Sequence, residues 1–155
     1  MLKRMASVYY LALISGYNLK EDIIKWADET IENSNSVISD ELIELSLSAS
    51  KSKEDVAKKL LAIFEGYTFD NPQRIIYGFC LKDLRDNALT YDDVASILYL
   101  ITTQNFVSIP EEELNKIMHL SDGFYLATEC IYGNVQDVER EIFEFLQGYK
   151  EEMEK

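Results

Sequence analysis

Only six glycines and two prolines punctuate this 155-residue chain, and they sit where helices should start or stop. Between them, apolar residues recur at helical spacing, and no long stretch shows strict two-residue alternation. A chain written this way has few options. Each segment presents one apolar stripe, and that stripe must be buried against other helices. The expected fold is all-α: a single domain over residues 1–155, about nine helices joined by short loops. An irregular helical bundle and a short solenoid-like stack of helical hairpins fit the pattern equally.

The boundaries can be read residue by residue. The first helix runs over Leu2–Ser15 and stops at Gly16, which can take the left-handed cap conformation. Asn18 can cap a second helix, with Ile24, Ala27 and Ile31 on one face. Ser39 opens a short third. Ser52, with Asp55 three residues on, resembles a capping box and opens a fourth, which Gly66 ends. Asn71-Pro72 reads as N-cap followed by proline at the first helical position. Thr90 caps a helix carrying Val94, Ile97, Leu98 and Ile101. Pro110 starts the next, and Asp122 a further short helix through Ile131, closed near Gly133. Asn134 caps the last, where Val138, Ile142, Phe145 and Tyr149 form a stripe. A faint echo links Tyr10-Leu11-Ala12 and Tyr17 to Tyr125-Leu126-Ala127 and Tyr132, but no period of 30–50 residues holds along the chain.

Charge is unevenly spread. Between Asp86 and Glu139 the chain has ten carboxylates and one cation, Lys116, so this run carries −9 of the total −13. A concentrated field of one sign steers partners of the opposite sign and repels others. With a pI near 4.4, direct binding to a nucleic-acid backbone or an anionic membrane surface is not expected. No apolar segment approaches the ~18 residues needed to span a bilayer. Cys80 and Cys130 each lie in an apolar helical pattern and are expected to be buried free thiols in a reducing compartment, which places the chain in the cytoplasm.

Catalytic constellations are missing from the sequence. The single histidine, His119, has no Cys or carboxylate at a recognised metal-ligand spacing and reads as a partly buried helix residue. No phosphate-binding glycine loop and no Glu-x-x-His pair occur. Asp83 and Asp86 share a helix face with Lys82 and Arg85, an ordinary solvated arrangement. Neither an enzymatic activity nor a metal or other cofactor is expected. Glu129 stands out as a carboxylate within the mostly apolar Phe124–Ile131 segment, where it must be paired, exposed or functional. Ten tyrosines are many for this length. Tyr99 and Tyr149 fall at core-like positions, whereas Tyr91 adjoins Asp92 and Asp93 and suits a contact role.

The block Tyr10–Leu47, with Tyr10-Leu11-Ala12-Leu13-Ile14, Gly16, a polar turn, Ile23-Ile24-Lys25-Trp26-Ala27-Asp28 and Leu42-Ile43-Glu44-Leu45, resembles the opening of small bacterial immunity proteins of polymorphic toxin systems. It covers about a quarter of the chain, and Trp26 within it reads as structural. The resemblance implies a small, acidic, cytoplasmic, non-enzymatic protein that neutralises a cognate toxin, often a basic nuclease. It assigns no contact residues. Those come from the charge map: Tyr91, Asp92, Asp93, Glu111, Glu112, Glu113, Asp122 and Glu129 are the expected partner-binding residues. The competing readings are a helical adaptor or regulatory scaffold for another protein, and an acidic DNA mimic.

Overall fold

The computed structural model of the chain describes residues 2–151. Eight helices are present and no strand occurs among the described residues: α1 (Leu2–Ile14), α2 (Lys20–Glu32), α3 (Asp40–Ser46), α4 (Lys53–Phe64), α5 (Gln73–Arg85), α6 (Tyr91–Thr102), α7 (Glu111–Thr128) and α8 (Val135–Gln147). They group into two compact units, Met1–Asp70 and Asn71–Lys155.

In the first unit, α1 packs on α4, α4 on α3, and α3 on α2. Leu11, Leu13, Ile23, Leu45 and Leu60 are fully buried. Tyr9 meets Trp26 with ring centroids 5.2 Å apart, and Tyr10 meets Phe64 at 5.4 Å. Trp26 therefore has a packing partner, in keeping with its structural reading. Gly16 holds a φ of +86°, open to a residue without Cβ, and Tyr17 N–H bonds back to the Ala12 carbonyl at 3.0 Å.

In the second unit, α8 lies against α5, α6 and α7, while α6 packs along α7. The expected stripe Val94, Ile97, Leu98 and Ile101 is buried, as are Ile117, Leu120, Ile142 and Leu146. Caps follow the sequence grammar where a side chain makes them. The Ser39, Ser52, Thr90 and Asn134 oxygens each accept a backbone N–H of the following turn. At Thr90 the box is complete, because the Asp93 side chain accepts the Thr90 N–H at 2.9 Å.

Several boundaries differ from expectation. Leu19, not Asn18, is the N-cap of α2. Asn71 has a φ of +56° and Pro72 takes the N-cap place of α5. The helix that starts after Pro110 does not stop before Asp122; it continues to Thr128, so two expected helices are one. Its true stop is Cys130, at φ +57°, with Ile131 N–H bonded to the Leu126 carbonyl at 2.9 Å. This is a left-handed cap built on a non-glycine residue, which glycine-based reading misses. The Tyr-Leu-Ala echo does not extend to equal environments: Tyr17 is buried whereas Tyr132 is 78% exposed.

Being the cap residue, Cys130 is exposed, contrary to its expected burial, while Cys80 is fully buried and its thiol pKa is pushed up by that burial. The two thiols should therefore separate kinetically. A colourimetric thiol reagent is expected to consume Cys130 rapidly in the native protein and Cys80 only on unfolding. Cys130→Ser should abolish the fast phase alone.

Candidate functional site

The acidic run divides into three physical roles. The first is buried. Glu113, in the first turn of α7, is only 6% exposed. Its Oε2 accepts Gln73 Nε2–H at 2.8 Å and the Tyr77 hydroxyl at 3.1 Å. Its Oε1 accepts Arg74 Nε–H at 2.9 Å and the Tyr149 hydroxyl at 3.0 Å. Four donors from α5 and from the turn after α8 converge on one carboxylate. Without them a buried charge could not be tolerated. The rings of Tyr77, Phe145 and Tyr149 pack against one another, with centroids 5.0–5.3 Å apart. Burial, then the Glu113 charge, holds the Tyr77 phenol well above its ordinary range, and the same causes push Tyr149 from 10.0 up to about 12. Glu113 thus belongs to the interior and is not available to a partner. Beside it lies a shallow cavity of about 340 Å³ whose walls include Glu112 and Lys116. The one cation of the acidic run therefore stands here.

The second role is local. Asp93 is spent on the Thr90 capping box. Tyr91 is half-buried at the start of α6. Its pKa is raised by burial and then by the charge of Glu139 on α8. Glu111 is exposed at the start of α7.

The third role is open. Asp92 on α6, with Asp122 and Glu129 on α7, lines one groove of about 390 Å³. Its walls carry Tyr99, 51% exposed, and Tyr125, 60% exposed, above Ala95 and Phe124. The spacing explains the assembly. Asp92, Ser96 and Tyr99 recur at i, i+4 and i+7 on α6, and Asp122, Tyr125 and Glu129 at i, i+3 and i+7 on α7. Two outward stripes flank the seam where these helices pack. Sequence reasoning found the three acids and missed both tyrosines; Tyr99, expected in the core, lies on the opposite face from Ile97 and Ile101. The matched outward spacing was the available signal.

Glu129 is not mid-helix. It is the C-cap of α7, exposed, at the negative end of an 18-residue helix whose last turn has no cation. A carboxylate there works against the helix dipole. Asp92, Asp122 and Glu129 make no ion pair within 4.0 Å among the described residues. His119, expected to be partly buried, is exposed on α7, with Nε2 3.7 Å from Glu141. No group of three or more His, Cys, Asp or Glu side chains among the described residues is placed to hold a metal ion.

No protein-family model, curated protein or solved structure matches the chain.

Two outcomes are expected from the Glu113 cluster. Glu113→Ala removes the shared acceptor of two buried donors, Gln73 and Tyr77, and of the partly exposed Arg74 and Tyr149, and should lower unfolding free energy by about 3–5 kcal/mol. Glu112→Ala, at an exposed position, should change it by less than about 0.5 kcal/mol. Urea titration followed by circular dichroism reads both. The tyrosine shifts give a pH dependence. A phenol whose folded pKa exceeds its unfolded value stabilises the fold below the unfolded pKa, and that contribution is lost as pH rises through the folded one. The midpoint of thermal unfolding should therefore fall between pH 10 and about 12, less steeply in Tyr149→Phe.

Proposed function

We propose that this chain is a non-catalytic inhibitor: an immunity protein that binds and neutralises a cognate basic bacterial toxin domain through its acidic α6–α7 face. One observation carries the reading. The groove between these helices gathers three carboxylates that have no ion-pair partner among the described residues, flanked by two half-exposed tyrosines. Carboxylates outside any ion pair gain from an incoming cationic surface. Tyrosine adds contact area with little rotamer entropy to lose. Field and anchors are thus concentrated on one face.

Inhibition by such a face needs no chemistry. A nuclease must present cations to the phosphate backbone, and a protein that covers those cations competes directly with substrate. Electrostatic steering would bring association toward 10⁸–10⁹ M⁻¹s⁻¹ at low salt, against roughly 10⁵–10⁶ for an uncharged pair. The resemblance of Tyr10–Leu47 to the opening of immunity proteins supports the same reading.

The test uses the native genome. Proteins encoded beside this chain are expressed singly in a test host. A basic one that arrests growth should be neutralised by co-expression of the chain and should bind it stoichiometrically. Association should slow markedly as salt rises, since the screening length is about 8 Å at physiological ionic strength. Asp92→Lys with Asp122→Lys should weaken binding far more than Glu21→Lys with Asp22→Lys on α2. Equal losses from the two double variants would reduce the acidic run to a solubilising surface. A basic partner that binds without any rescue of growth would favour the adaptor reading.

A further inference from the structure

We propose that the α6–α7 groove is a seat for an arginine side chain of the partner protein. The inference deepens the reading above, on which it rests for the occupant being part of a protein.

Three independent features of the groove converge on a multi-donor cation. The first is charge: Asp92, Asp122 and Glu129 line it and no cation does. The second is hydrogen-bond polarity. The Ser121 hydroxyl donates to the Met118 carbonyl at 3.5 Å, and the Thr128 hydroxyl to the Tyr125 carbonyl at 3.0 Å. Their protons are directed into their own helix, so toward the groove these hydroxyls offer lone pairs. With the three carboxylates they make a lining rich in acceptors, alongside the Ser96, Tyr99 and Tyr125 hydroxyls, which can donate as well as accept. The third is the helix field. Glu129 sits at the C-cap of α7, where carboxylate and backbone carbonyls act together on a cation, whereas Asp92 lies at the positive end of α6, so the field favours the Glu129 side of the groove.

The carboxylate charge repels an anion, and a neutral ligand gains nothing from it. A metal ion is disfavoured because the groove's acids do not form a ligand cluster. Between the two cationic side chains, the aromatic walls decide. Tyr99 and Tyr125 face the groove from opposite helices. A planar guanidinium stacks on such faces and presents five N–H donors in a rigid fork, whereas an ammonium is compact and more strongly hydrated. Phe124 and Ala95 give an apolar floor for the aliphatic stem.

The experiment titrates the full chain, labelled with ¹⁵N, with the peptide Ac-Gly-Arg-Gly-Arg-Gly-amide and with its lysine and citrulline counterparts. The arginine peptide should saturably shift the amides of Ser96, Tyr99, Asp122, Tyr125 and Glu129. The lysine peptide should bind at least about threefold more weakly, and the citrulline peptide should not bind. Asp122→Asn with Glu129→Gln should weaken arginine binding by about tenfold or more, a change of ~1.4 kcal/mol. Tyr99→Ala with Tyr125→Ala should erase the preference for arginine over lysine while circular dichroism stays unchanged. Shifts spread over the acidic surface, or equal affinity for arginine and lysine in the unaltered protein, would overturn the seat. Ser96→Trp, at an exposed position, fills the groove. If a basic partner bound this variant as tightly as the unaltered chain and its toxicity were still neutralised, the arginine seat would be wrong and inhibition would stand through other residues of the acidic surface. If the peptide seated as described but no basic protein bound, the seat would stand and the inhibitor reading would fall.

Discussion

The buried carboxylate of Glu113 is the interaction on which the second unit depends. It is the point where α5, α7 and the turn after α8 share one set of charge-assisted bonds. Apolar packing among these helices is non-directional and tolerates sliding. A carboxylate that must satisfy four donors does not, because any shift of register strands a buried charge. Even the orientation of Gln73 follows from it. The amide turns its N–H groups toward Glu113 and Asn71 and leaves its own Oε1 buried with no hydrogen-bond partner among the described residues. Glu113 therefore specifies the arrangement as well as stabilising it.

That tie bears on the groove. α7 carries Glu113 in its first turn and Asp122, Tyr125 and Glu129 in its last two turns and C-cap. A helix of 18 residues is about 27 Å long. Pinning one end through Glu113 and packing its length on α6 gives the far end a defined position. The groove walls are thus rigid elements, not loops, and a rigid wall loses little entropy when a partner docks. The one cation of the acidic run, Lys116, stands near the pinned end and leaves the groove end uncompensated.

Much of the helical content was legible because local rules and packing agreed. Ser39, Ser52, Thr90 and Asn134 cap as their side-chain chemistry demands, and the Val94–Ile101 stripe is buried as its spacing demands. Reading failed where the backbone conformation lay against residue preference. Cys130 holds the left-handed cap that a glycine would announce, so the end of α7 and the exposure of Cys130 were hidden. The split at Asp122 failed for a related reason. Asp122 reads as the start of a further helix, yet packing of Leu120, Phe124 and Ala127 keeps α7 continuous through it.

What the sequence determined by itself is therefore local: which segments are helices, how most of them begin, which stripe each one buries, and that one region is strongly acidic. Each depends on residues within a turn or two of one another. What only the tertiary structure decided is the fate of each acid within that region. Glu111, Glu112 and Glu113 are identical neighbours on α7, yet the third alone points inward to Gln73, Arg74, Tyr77 and Tyr149. Asp92 and Asp93 are adjacent, yet one closes a cap and the other faces the groove beside residues some 30 positions away. A carboxylate has the same charge in every sequence position. Whether it ties, caps or remains open depends on which donors the fold brings within about 3 Å, and that distance exists only once helices have packed.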